Sequence, residues 1–403
     1  MKKCIFCDND VTPDTKPEHI LLNALGGRKT TRGVVCTAHN EGFGSTIDKG
    51  LTDQVPIIRN LLHLESGTGN MPPMLRNIQS GNDTLNIKGD GTIELDSKPF
   101  ALVDRPNGVK ELQIRARSAE HLAELIPHIA AKLKLPEQKV IELLKTGRGT
   151  VVSKRPDVIR HDLQFGGPNA LRSMMKACLE LWATIAGNSE LKSTPYAAAR
   201  QFVLAGDADF LRDRIYIDTR PLPHVDEMAA RFSEFFNLIY VRSDVAGRVI
   251  GHFTLYNIMG WQMVLAENGG RPDARIGLIS NPLKPATWSD RIADEIDIQF
   301  AWLNAPERPE EHARARARFS AMMERHQKQA MDHEVGRIVE SVFKKHGLSA
   351  LTMDTDEQTR KRVIGEISMR TAKHFMGLPH EQQLTAAEIE AMVLGAKTQS
   401  RFS

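Results

Sequence analysis

Two short runs, Cys4-Ile5-Phe6-Cys7 and Cys36-Thr37-Ala38-His39, decide how the chain begins to fold. Each places two soft metal ligands three residues apart, so a tight turn can aim both at one ion. Four such ligands form a tetrahedral zinc site with no open position, which makes the metal structural. It would supply folding energy to a segment too small to hold itself together. Three clustered cysteines beside a histidine fit metal ligation better than disulfide bonding, and such thiolates persist in a reducing compartment. The fourth cysteine, Cys178, falls on the apolar stripe of a helix and reads as a plain buried thiol.

Working outward, Pro17-Glu18-His19-Ile20 predicts a short strand. The apolar run Leu21 to Leu25 follows, ending at the Gly26-Gly27 turn, and Val34-Val35 then predicts the return strand. Strand alternation sends Glu18 and His19 to opposite faces. Phe43, Ile47 and Leu51 recur at helical spacing and predict one helix after His39. Asp48 reads as a surface residue or a helix contact. Arg28, Lys29 and Arg32 make a basic turn, either solvated or holding flanking phosphates.

Glu18-His19-Ile20, Leu25-Gly26-Gly27, Val35-Cys36, Asn40, Phe43-Gly44 and Ile47-Asp48 together resemble the HNH endonucleases, over about residues 1–55. The likeness is closest to the branch with zinc knuckles and a motif ending in Asn. The resemblance implies a ββα-metal fold, with His19 as general base and Glu18 and Asn40 holding a catalytic Mg²⁺ or Mn²⁺. Cys4, Cys7, Cys36 and His39 correspond to the ligands of a structural Zn²⁺. Two departures stand out. His39 replaces a usual Cys, and the middle Asn of the motif is absent near Gly33, where Arg32 or Thr31 are the candidates to replace its contact. The residue types suit the chemistry, because a neutral imidazole can take a proton from water near pH 7. A hard cation accepts a sparse shell of oxygens.

The chain has 403 residues, enough for two or three domains. Its 41% hydrophobic and 26% charged composition is ordinary for a globular protein. A formal charge of +3 permits nucleic-acid binding without arguing for it. Neither a secretory signal nor an apolar run long enough to span a membrane is present, so a cytoplasmic location is expected.

The expected class is α+β, in three parts. Residues 1–63 form the zinc-stapled module, and 64–305 form a mixed domain of unknown role with an antiparallel meander. Residues 306–403 form a helical region. A Gly- and Pro-rich linker is expected at Ser66 to Pro73, and Phe165-Gly166-Gly167-Pro168 launches a long apolar helix. Lys154, Arg155, Arg160 and His161 form a basic loop, and Thr385-x-x-Glu388 a capping box. Arg314, Arg318 and Arg325 share a helical face, best read as solvated rather than phosphate-tracking. DNA is the expected partner. A catalytically silent nucleic-acid- or protein-binding module, and a nuclease governed by its trailing domains through a regulatory ligand, are the rival readings. Homo-oligomer formation is left open.

Overall fold

The computed structural model describes residues 2–96, 99–106, 110–116, 119–146, 149–153, 157, 159, 163–305, 311–352, 354–378, 380–384 and 389. The basic residues Lys154, Arg155, Arg160 and His161 and the Thr385/Glu388 pair lie outside them. The fold is mixed α+β and divides into two units. One comprises residues 1–75, 88–92 and 162–327. The other comprises 76–87, 93–161 and 328–403.

The first unit opens with two minimal hairpins. Strand β1 (Lys2–Lys3) pairs with β2 (Asp10–Val11), and β3 (Glu18–His19) pairs with β4 (Thr30–Thr31), both antiparallel. The return strand is therefore Thr30–Thr31, not Val34-Val35. Val34 and Val35 are buried in bends, and the Val34 carbonyl accepts from Ile5 N–H at 3.1 Å, so they serve the knuckle core instead. The expected single helix is split into α1 (Thr37–Ser45) and α2 (Ile47–Thr52). Thr46 Oγ1 and Ser45 Oγ both donate to the Gly42 carbonyl, at 2.7 and 3.1 Å, and compete with the helical ladder there. Phe43, Ile47 and Leu51 nonetheless all face inward. A third short helix, α3 (Pro56–Leu61), follows.

Helix α4 (Pro168–Ala186) lies at the centre of this unit. Gly166 and Gly167 precede it at φ +92° and +82°, a conformation glycine accepts without strain, and Pro168 starts it where no N–H is needed. It is buried on almost every side, Cys178 included, as a helix between two layers must be. One face packs on α2, with Gly50 so close that a Cβ there would lie 2.6 Å from that of Asn169. The other packs on a six-stranded antiparallel sheet.

That sheet comprises β5 (Ile215–Asp218), β6 (Asn237–Ser243), β7 (Val249–Leu255), β8 (Met259–Ala266), β9 (Arg275–Ser280) and β10 (Trp288–Ser289). Its spatial order is β5-β8-β7-β6-β9-β10. The expected meander is its centre, and β9 and β10 extend it. Gly251 in β7 admits α4, since a Cβ there would lie 2.8 Å from Cys178 Sγ. On the opposite face Leu238, Tyr240, Ile250 and Ile279 join Met228, Phe232 and Phe236 in a second apolar layer.

The stretch expected as a linker is not free. Gly67 N–H donates to the Asn23 carbonyl at 2.7 Å, and Gly67 lies against Gly27.

In the second unit, Leu75–Ser80, Asp83–Ile87 and Ile93–Leu95 form a three-stranded sheet. A hairpin, Phe100–Asp104 with Lys110–Ile114, packs Phe100, Leu112 and Ile114 against helices Ala119–Leu133 and Glu137–Thr146. Helix Glu311–Lys345, whose residues 311–327 belong to the first unit, runs unbroken, with Gly347 beyond its end at φ +68°. Helix Glu357–Phe375 follows. The C-terminal region is not wholly helical, because His380–Leu384 pairs as a strand with Gly149–Ser153.

Candidate metal and nuclease site

The first knuckle sits in the turn between β1 and β2, and the second at the start of α1, with Cys36 as its N-cap. The ligand atoms of Cys4, Cys7, Cys36 and His39 all lie within 4.8 Å of one another, the one such group among the described residues. Cys7 Sγ and Cys36 Sγ are 3.7 Å apart, far beyond a disulfide bond. His39 Nδ1 stands 3.7 Å from Cys4 Sγ and 3.5 Å from Cys36 Sγ. A tetrahedron with Zn–S of about 2.3 Å and Zn–N of about 2.0 Å has edges of about 3.8 Å (S to S) and 3.5 Å (S to N). The four residues therefore fit a zinc ion, which they could hold through His39 Nδ1. Phe6 N–H donates to Cys4 Sγ at 3.4 Å, a contact that favours a thiolate. Without a cation, burial pushes the Cys4 thiol up to about 12.

The knuckle is also gripped from later in the chain. Lys192 Nζ donates to the Cys7 carbonyl at 2.9 Å, and Arg200 to that of Ile5 at 3.3 Å. Asn188 Nδ2 donates to both the Lys3 and Gly33 carbonyls, at 2.7 and 2.8 Å. Near Gly33, where the motif's middle Asn is missing, an asparagine amide is thus supplied from position 188. Thr31 Oγ1 also accepts from Gly33 N–H at 3.3 Å. Local spacing holds no trace of Asn188.

Glu18 and His19 share β3 but meet different surroundings. His19 is half-buried, and burial, with Lys176 nearby, holds its pKa below the ordinary histidine value. The imidazole is therefore neutral at pH 7. Asn40, on α1, donates from Nδ2 to the Lys16 carbonyl at 3.1 Å, which ties that helix to the segment entering β3.

Glu18 is buried, 6% exposed, and its Oε1 accepts from Lys176 Nζ at 2.5 Å. The same ammonium donates to Asp48 Oδ2 at 2.7 Å, and Ser173 Oγ donates to Asp48 Oδ1 at 2.6 Å. Asp48 is therefore no surface residue but a buried helix contact between α2 and α4. Burial alone would lower the Lys176 pKa; Glu180, Asp48 and Glu18 outweigh it and keep the amine charged. Burial pushes Glu18 upward against the pull of Lys176, and it raises Glu180 well above the ordinary carboxylate value. Phe43 joins the two centres. Its ring stacks on His39 at 5.2 Å, and Lys176 Nζ stands 5.6 Å from its centroid.

A divalent cation on Glu18 and Asn40 does not fit this arrangement as it stands, because the Glu18 carboxylate is already bound to an ammonium. Among the basic-turn residues, Arg28 and Arg32 are exposed, while Lys29 pairs with Asp290 at 2.6 Å. On the long helix, Arg318 donates to the Ile258 carbonyl at 2.9 Å and is half-buried, while Arg314 and Arg325 are exposed, Arg325 as the partner of Glu234.

Residues 4–56 match the family model of the HNH endonuclease. The match covers the two knuckles, the β3–β4 hairpin and helices α1 and α2, the span on which the sequence resemblance rests. No curated protein and no solved structure gives a significant match to the chain. No helix among the described residues is long and apolar enough to cross a membrane.

Proposed function

We propose that the protein is an endonuclease that hydrolyses phosphodiester bonds in DNA, with His19 as its general base and a structural zinc on Cys4, Cys7, Cys36 and His39. The observation that carries this reading is the neutral, half-buried His19 on a hairpin within the span that matches the HNH endonuclease model. A neutral imidazole takes a proton from water as the water attacks phosphorus, a role worth roughly 10²- to 10⁴-fold in rate. Exposed Arg28 and Arg32, on and just after the β3–β4 turn, would hold flanking phosphates as point charges. We place the protein in the cytoplasm, where cysteine ligands stay reduced.

Supercoiled-plasmid cleavage with Mg²⁺ or Mn²⁺ tests the proposal. Wild type is expected to nick or linearise the plasmid. His19→Ala is expected to lose that activity while retaining one zinc per chain. Equal cleavage by both proteins would remove His19 from the mechanism. A second reading, a zinc-stapled binding module without hydrolysis, is favoured by one observation: the carboxylate beside His19 is taken up by Lys176. Plasmid binding without cleavage by wild type would decide for it.

A further inference from the structure

Ser173, Lys176 and Glu180 stand three and four residues apart on α4 and line one face of it. This face is not solvated. Lys176 and Glu180 are both 0% exposed, and the carboxylates that Lys176 meets, Glu18 and Asp48, are 6% and 7% exposed. Neither carboxyl oxygen of Glu180 has a hydrogen-bond partner. The result is a buried acidic cluster around one ammonium, which includes Glu18, the neighbour of His19 on β3.

We propose that Lys176 is a positioning residue that acts through Glu18. Its ammonium occupies the place at the Glu18 and Asp48 carboxylates that a divalent cation would otherwise take, and so fixes the strand carrying His19 while excluding metal from Glu18. This rests on the nuclease reading of His19 and adds to it how the site is controlled.

The geometry favours the ammonium over a metal ion. Two of its three N–H donors are met by these carboxylates, at 2.5 and 2.7 Å. Mg²⁺ demands six oxygens at about 2.0–2.1 Å and gives up its hydration reluctantly. The cluster supplies three carboxyl groups, those of Glu18, Asp48 and Glu180, all buried from solvent. A divalent ion at Glu18 would also stand within a few ångströms of a like charge in a medium that screens poorly. Without the amine, two buried carboxylates would face each other uncompensated, and a divalent ion then becomes the natural partner.

The test is Mn²⁺ titration of the zinc-loaded full chain, with free Mn²⁺ followed by electron paramagnetic resonance. The readout is uptake that depends on Glu18, taken as the difference between a protein and its Glu18→Gln counterpart. Wild type and Lys176→Arg are expected to show none at millimolar Mn²⁺. Lys176→Ala is expected to bind one ion per chain, which the added Glu18→Gln change abolishes. Glu18-dependent uptake by wild type would overturn the proposal, and this comparison stands even if Lys176→Ala fails to fold. A folded Lys176→Ala protein that takes up no Mn²⁺ would overturn it too. Plasmid cleavage is scored separately. Absent cleavage with the expected Mn²⁺ pattern would sink the nuclease reading alone, and His19-dependent cleavage with Mn²⁺ on wild-type Glu18 would sink this one alone.

Discussion

The N-terminal module and the six-stranded sheet are held together by opposite means within one unit. The module's strands are two residues long, and its hairpins are joined by ligand-bearing turns, an ion pair and side chains reaching in from Asn188, Lys192 and Arg200. The sheet's central strands run seven or eight residues and are buried almost throughout, with apolar layers on both faces. Strands of two residues bury too little to offset their own ordering entropy, so contacts outside the ladders, among them the knuckle core and these polar side chains, must do it. The sheet needs no such help.

Zinc removal should part the two regions most sharply. Structural zinc in small fingers is worth about 10–16 kcal/mol. Chelation, or Cys36→Ser, is expected to reduce bound zinc from one per chain to none and to expose amides over residues 2–45 to hydrogen exchange. The sheet amides should stay protected. Loss of protection in both regions at once would mean that the module and the sheet fold as one. The converse experiment is smaller. Phe236 is fully buried against the sheet, and Phe236→Ala is expected to cost about 3–5 kcal/mol in urea unfolding. Zinc bound by the folded protein should not change.

The smallest effect is on pH dependence and sharpens the role of His19. Its pKa is held low in the folded protein, so protonation is resisted below the ordinary value of about 6.5. The acid limb of the cleavage profile should therefore lie below that value. In the same window the unfolded chain takes up the proton more readily than the folded one, so His19 withdraws stability as pH falls below about 6.5 and withdraws none above it. An acid limb at or above the ordinary histidine range would point to another base.

The ligand pairs could be read from the sequence because their spacing is local and few other chemistries need it. The central strands of the sheet were legible for a similar reason, in their alternation and turns. The split at Thr46 was not, because it depends on hydroxyls competing for one carbonyl. Val34 and Val35 suit a strand by composition, but the knuckle core claims them. Lys176 was the hardest to foresee. Ser173, Lys176 and Glu180 look like the wet face of an amphipathic helix, and the partner Asp48 lies 128 residues away in the chain. Burial of that face is set by α2 packing on it, which no local pattern records.

Gln54 carries a consequence of another kind. Its side-chain amide pairs with the backbone of Gly166 in both directions, accepting from its N–H at 3.0 Å and donating to its carbonyl. The two residues stand 112 positions apart, and the amide works like a clasp at the neck of a long excursion of the chain. Closing a loop costs only about 0.6 kcal/mol more for each doubling of its length. Lengthening the chain within residues 93–161, the part of the excursion that lies in the second unit, would therefore cost the clasp itself little.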